Sequence, residues 1–131
     1  VLFCGTGSAL ALFKTGQVAS GVLSEDGKKF AKVLILAVLP ATQGIYGFVL
    51  AIIASGGVEA GMAAAEGLKI LMATLPLTIV GFTSALFQGL TSVSAILAVA
   101  KDESISGKLI LFPAMVETYA ILALVISIML L

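Results

Sequence analysis

The sequence predicts an all-α membrane protein whose four transmembrane helices form two duplicated helical hairpins. Three observations carry that expectation. First, 60% of the 131 residues are hydrophobic and only 11% are charged, with a mean hydropathy of +1.23. A soluble domain carries about 45–50% apolar and about 25% charged residues, so this chain could not cover its own surface with polar groups. Second, the charges cluster, leaving apolar runs long enough to cross about 30 Å of hydrocarbon, which takes about 20 helical residues. Third, two short motifs recur in the same order at nearly the same separation.

The elements follow from the charges. Val1 to Leu23 is apolar apart from Lys14 and predicts a first span over about 1–23. It opens without an initiator Met, so a signal peptide and a first span read alike at this end. The polar stretch Ser24-Glu25-Asp26-Gly27-Lys28-Lys29 makes the first turn, and no charge interrupts the chain between Lys32 and Glu59, which predicts a second span over about 31–55. The next uncharged run, from Lys69 to Lys101, predicts a third span over about 67–100, long enough that it must tilt or project beyond the bilayer. A fourth is predicted over about 107–131, where the tail after Lys108 contains the single charge Glu117. Lys28, Lys29, Lys32, Lys101 and Lys108 flank two turns, whereas the connection around Glu59 is acidic. The positive-inside rule therefore places those two turns in the cytoplasm and both termini outside.

The repeat divides the chain in two. Gly5-Thr6-Gly7-Ser8-Ala9-Leu10 recurs as Gly81-Phe82-Thr83-Ser84-Ala85-Leu86, and Pro40-Ala41 with Tyr46 recurs as Pro113-Ala114 with Tyr119. A duplicated hairpin explains both, with a first unit over 1–60 and a second over 61–131. The first and third spans are rich in Gly, Ala, Ser and Thr, so their backbones can approach closely.

Composition also excludes functions. The formal net charge is zero, which leaves no basic face for nucleic acid. There is no His, and Cys4 is the single cysteine, so His-based catalytic triads, His-ligated zinc and thiolate cages are all excluded. No Walker-type phosphate loop is present, and no residue is assigned a catalytic role.

The informative residues are polar ones at membrane depth. Glu117 lies nine residues past Lys108, roughly 14 Å into the membrane by helical rise. A carboxylate there costs a few kcal/mol or more and is normally functional or paired. Gln43 and Gln88 reach roughly 16 and 20 Å from their nearest flanking lysines, with Thr42 beside Gln43 and Tyr46 at i+3 on the same helix face. One carboxylate, two amide carbonyls and a hydroxyl form a hard-oxygen set with a single charge. That set suits a small monovalent cation better than calcium or magnesium, which take more carboxylates or keep several waters. Sodium is the first expectation, with a proton as the alternative. Lys14 is a rival partner for Glu117, but the repeat register turns it to the far side of its helix. Pro40 should kink the second span and free the Leu36 carbonyl; Pro113 should act likewise in the fourth.

At these residues the chain resembles a known family. Leu39-Pro40-Ala41-Thr42-Gln43-Gly44-Ile45-Tyr46-Gly47, Phe87-Gln88-Gly89 and Ala114-Met115-Val116-Glu117-Thr118-Tyr119-Ala120-Ile121-Leu122 are similar to signature segments of bacterial V-type ATPase rotor proteolipids, the K or c-type subunits. The resemblance covers all four spans. It implies a homo-oligomeric ring of identical subunits in the bacterial plasma membrane, surrounded by lipid, turning against a stator membrane subunit of the a or I type and coupled to central-stalk subunits. ATP chemistry would then belong to other subunits. In the sodium-translocating members the residues matching Glu117, Gln88, Gln43, Thr42 and the Leu39 carbonyl hold Na⁺, and the residue matching Tyr46 steadies the carboxylate. The resemblance further implies that Gln43 stands where a second acid would have given a second site, and that a stator Arg displaces the ion from Glu117. A proton rotor, a four-helix exporter of small cations and a purely structural membrane protein are the competing functions. The scarcity of aromatic residues, with no Trp and two Tyr, argues against the exporter.

Overall fold

The computed structural model describes residues 1–131 and is entirely helical. The first long helix, α1 (Leu2–Glu25), is followed by a 3-10 turn, Gly27–Lys29. The second crossing is α2 (Phe30–Val38) and α3 (Thr42–Ser55), joined by the 3-10 segment Leu39–Ala41. After an exposed loop comes α4 (Ala64–Lys101), 38 residues long. A further 3-10 turn, Glu103–Ile105, leads through α5 (Ser106–Leu109) to α6 (Leu111–Leu130).

Three of the four crossings are long and apolar enough to traverse a membrane: Gly27–Ser55, Ala64–Lys101 and Glu103–Leu130. The remaining crossing, α1, is long enough but carries Lys14, Gln17 and many small hydroxyl and glycine residues. Its composition reflects its place: α1 packs along α4 and uses backbone approach rather than large side chains. At about 1.5 Å per residue α4 runs about 57 Å, so it projects beyond the hydrocarbon, and Glu66 and Lys69 on its first turns are exposed.

The α1–α4 contact is made by small residues. A methyl group at Gly89 would sit 2.7 Å from Ala11 Cβ, one at Gly81 2.6 Å from Cys4 Sγ, and one at Gly7 2.9 Å from the Phe82 carbonyl oxygen. Approaches this close allow two backbones to pack directly. The outside of the bundle is the reverse: Phe48, Ile52, Phe112, Leu122 and Val125 are large, apolar and exposed. So many large apolar side chains on the outside are the pattern of a helix bundle solvated by lipid.

Prolines shape two helices by different means. Pro40 turns the second crossing into 3-10 geometry. The carbonyls that side chains then reach are Ala37, which accepts from Thr15 Oγ1 at 2.8 Å, and Leu39, which accepts from Thr42 Oγ1 at 3.1 Å. The Leu36 carbonyl expected from simple i−4 counting is not the one engaged, because a 3-10 turn shifts each acceptor by one residue. Pro76 lies inside α4 without breaking it. There Leu77 N donates to Ser127 Oγ at 3.2 Å, and the Leu77 carbonyl accepts from Cys4 Sγ at 3.4 Å, so α6 and α1 both bond to the backbone beside the proline.

The two turns at one end of the bundle share one design. Asp26 and Asp102 both adopt extended backbone, and each closes the preceding helix through a backbone N–H, to the Val22 and Ala98 carbonyls respectively. Each carboxylate then accepts from the backbone N–H two residues on, at 3.0 and 2.9 Å, which caps the following 3-10 turn. Lys29 Nζ donates to the Ala100 carbonyl at 2.7 Å, and Lys32 pairs with Glu103 at 3.1 Å, tying the two turns together.

Candidate functional site

The buried interior is layered. Near the two Asp turns Ala19, Val22, Val33, Leu36, Ala37, Ala95, Ile96 and Val99 form one apolar cluster. Toward the opposite end Cys4, Leu50, Leu77 and Ala123 form another. Between them in the chain lie the buried polar residues Ser8, Gln43, Ser84 and Gln88. Three elements bring the polar layer together. The 3-10 segment sets Thr42 and Gln43 at the start of α3, the middle of α4 supplies Gln88, and α6 supplies Glu117 one turn past Pro113.

The side chains form a continuous hydrogen-bonded network. Gln43 Nε2 donates to Gln88 Oε1 at 2.6 Å and to Ser84 Oγ at 3.2 Å. Gln88 Nε2 donates to Glu117 Oε2 and to the Pro113 carbonyl, both at 3.1 Å. Tyr46 Oη donates to Glu117 Oε1 at 2.5 Å. Thr42 Oγ1 lies 3.1 Å from the Leu39 carbonyl oxygen and 3.4 Å from Gln43 Oε1. Both glutamines are 0% exposed, whereas Glu117 and Tyr46 are half-buried. The cluster is therefore closed on its α4 side and opens sideways between α3 and α6.

All six residues singled out from depth, helix face and resemblance (Leu39, Thr42, Gln43, Tyr46, Gln88 and Glu117) thus lie in one place. Lys14 does not join them: it is exposed on α1 and makes no ion pair with Glu117. With that partner absent, the Glu117 carboxylate is held by two neutral donors, Tyr46 and Gln88. Ser84 is the member that sequence reasoning missed. It sits inside the repeated segment 81–86, where it stood only as a marker of duplication. The repeat also gives Glu117 its own counterpart. With Pro40 set on Pro113, the position matching Glu117 is Gly44 rather than Gln43, and Gly44 N donates to Ser8 Oγ at 2.9 Å. The first unit therefore has no side chain where the second has its carboxylate.

This arrangement has clear relatives. The V-type sodium ATPase subunit K of Enterococcus hirae is 41% identical over 129 residues, covering 98% of this chain and 83% of that protein. The A-type ATP synthase subunit K of Methanocaldococcus jannaschii is 38% identical over 130 residues, 97% of this chain. The chain spans 56% of that second protein's length. A family model for the C subunit of ATP synthase matches residues 1–54 and 71–130, nearly all of both helical pairs. A multi-pass helical membrane protein with this coverage belongs to the ATP synthase C-subunit family.

Proposed function

We propose that the chain is an ion-translocating rotor-ring subunit of a membrane V-type ATPase and that Na⁺ is the ion it carries. The observation that supports this best is Glu117: a half-buried carboxylate at membrane depth, bound by Tyr46 and Gln88 and with no cationic side chain beside it. The family membership and the 41% identity to a sodium ATPase subunit support the same reading.

In this reading Glu117 supplies the negative charge, and the neutral oxygens come from Gln43 Oε1, Gln88 Oε1, Thr42 Oγ1 and the Leu39 carbonyl. Gln88 Oε1 accepts one bond from Gln43, and a carbonyl oxygen keeps a second lone pair for a cation. Tyr46 holds the carboxylate in its rotamer. With Na⁺ bound, carboxylate and cation are together neutral, which removes most of the cost of moving the site past lipid. Identical subunits side by side form the ring, and a stator subunit supplies the competing cation that releases Na⁺. The two helical pairs are proposed as the units 1–60 and 61–131. The two separate stretches matched by the family model and the paired Asp turns support that division.

The test is the rate at which a hydrophobic carbodiimide modifies Glu117 in purified rings, with and without Na⁺, across pH. The reagent attacks the protonated carboxyl. Protection by Na⁺ but not K⁺ is the expected result. Modification governed by pH alone would make this a proton rotor, and no modification at any pH would overturn the transport reading.

A further inference from the structure

We propose that Ser84 is a positioning residue of the ion site, fixing which end of the Gln43 amide faces the cation. The inference rests on the reading of Glu117 and its neighbours as a cation site. Ser84 lies one turn before Gln88 on α4 and is 5% exposed. Its hydroxyl carries a single proton, directed at the Val116 carbonyl at 3.0 Å. Toward Gln43 the oxygen can then only accept, and it accepts from Gln43 Nε2 at 3.2 Å.

Both hydrogens of that amide nitrogen are thereby assigned, one to Ser84 and the other to Gln88 Oε1. Gln43 Oε1 is left on the side of Thr42, next to the Leu39 carbonyl. A glutamine amide has nearly the same shape when reversed but opposite polarity. Reversal would set Gln43 Oε1 against two acceptor oxygens and turn an N–H toward the cation. Ser84 excludes that orientation because Val116, the residue before Glu117, holds its proton. The carboxylate-bearing helix thus fixes the polarity of a ligand on α3 through one α4 hydroxyl. Ser8, the counterpart of Ser84 in the repeat, instead accepts from Gly44 N, so the duplication does not give a second copy of this relay.

The experiment uses assembled rings carrying Ser84→Ala, with Ser127→Ala as a matched control. Ser127 is also fully buried and also bridges two helices, through Leu77 N, but lies ten positions beyond Glu117. Carbodiimide modification of Glu117 is titrated with Na⁺ and, in parallel, with Li⁺. Ser84→Ala is expected to raise the half-protecting Na⁺ concentration about tenfold, the effect of one lost buried hydrogen bond, and to change the Na⁺-to-Li⁺ ratio. Ser127→Ala lowers thermal stability and leaves both curves in place. Wild-type curves in the Ser84→Ala ring, or equal shifts in both variants, would overturn the proposal. Should Ser84→Ala not assemble, Ser84→Cys keeps the volume with a weaker donor, and its Na⁺ curve decides by the same criterion. Failure of Na⁺ to protect the wild-type ring would sink the sodium reading, and the proposal with it. That outcome is read from wild type alone and so stays distinct from failure of Ser84.

Discussion

Tyr46 and Glu117 are joined by a 2.5 Å hydrogen bond that ties α3 to α6 at the edge of the polar layer. The phenol contributes a donor to the carboxylate and is itself half-buried. Tyr46→Phe keeps the ring and removes the donor. Hydrogen bonds to charged groups are worth about 1.5–3 kcal/mol, so the half-protecting Na⁺ concentration should rise between about tenfold and about a hundredfold. An unchanged Na⁺ titration would show that the carboxylate keeps its rotamer without the phenol.

Glu117→Gln should leave assembly intact, since the amide oxygen can still accept from Gln88 and the amide NH2 can donate to the Tyr46 oxygen. It should abolish Na⁺ binding, because the remaining oxygens are all neutral. Equilibrium binding of radioactive Na⁺ to purified rings measures this directly. Residual binding at wild-type affinity would place the ion elsewhere.

Gln88→Ala acts on stability as well as on binding. It leaves Gln43 Nε2, the Pro113 carbonyl and Glu117 Oε2 each without a partner they have now. Buried groups deprived of a partner cost about 1–3 kcal/mol each, so the thermal midpoint of the detergent-solubilised protein should fall more than for any single serine substitution in the bundle. A midpoint within the error of wild type would mean that the network rearranges freely.

Gly89→Ala should destabilise the bundle by about 1–3 kcal/mol through overpacking, since its methyl would meet Ala11 Cβ at 2.7 Å. The double variant Gly89→Ala with Ala11→Gly should recover only part of the loss, because Ala11 Cα stays 3.0 Å from the new methyl. Gly5→Ala, with nothing within 4 Å of the new methyl, should be close to neutral. Thermal unfolding of the four proteins separates backbone contact from helix propensity, and equal losses at positions 5 and 89 would contradict the close-packed α1–α4 seam.

The turn at Asp102 predicts a pH dependence. Hydrogen bonds from the Ser104 hydroxyl and backbone N–H hold its carboxyl below the usual Asp range. A depressed folded-state value adds stability that is present above the unfolded value, about 3.9, and is lost as pH falls through the folded one. Thermal midpoints below about pH 4 should therefore fall more steeply for wild type than for Asp102→Asn. Parallel curves would mean that the cap adds nothing.

Much of the site is legible in the sequence alone. Depth separates Glu117, Gln43 and Gln88 from the rest, because a polar side chain so far from the flanking lysines must have partners. The i+3 spacing ties Tyr46 to Gln43. What stays illegible depends on backbone geometry or on residues too ordinary to stand out. Counting back from Pro40 points to Leu36, because the count assumes an α-helix and the chain adopts a 3-10 turn. Ser84 and Ser127 look like the small polar residues that line any close helix contact, and only their partners distinguish them. The match of Gly44 to Glu117 is likewise concealed by the more conspicuous glutamine beside it.

The apolar clusters on either side of the polar layer have a consequence for leakage. On the proposed reading, a cation at Glu117 would lie between the apolar cluster of Leu36 and Ile96 on one side and that of Leu50 and Leu77 on the other. One copy of this chain would then act as a carrier rather than a conduit, loaded and emptied from the side. Insulation of the membrane would then need no gate that moves: it would come from the two apolar clusters, and the circuit would close only where another protein meets the flank between α3 and α6.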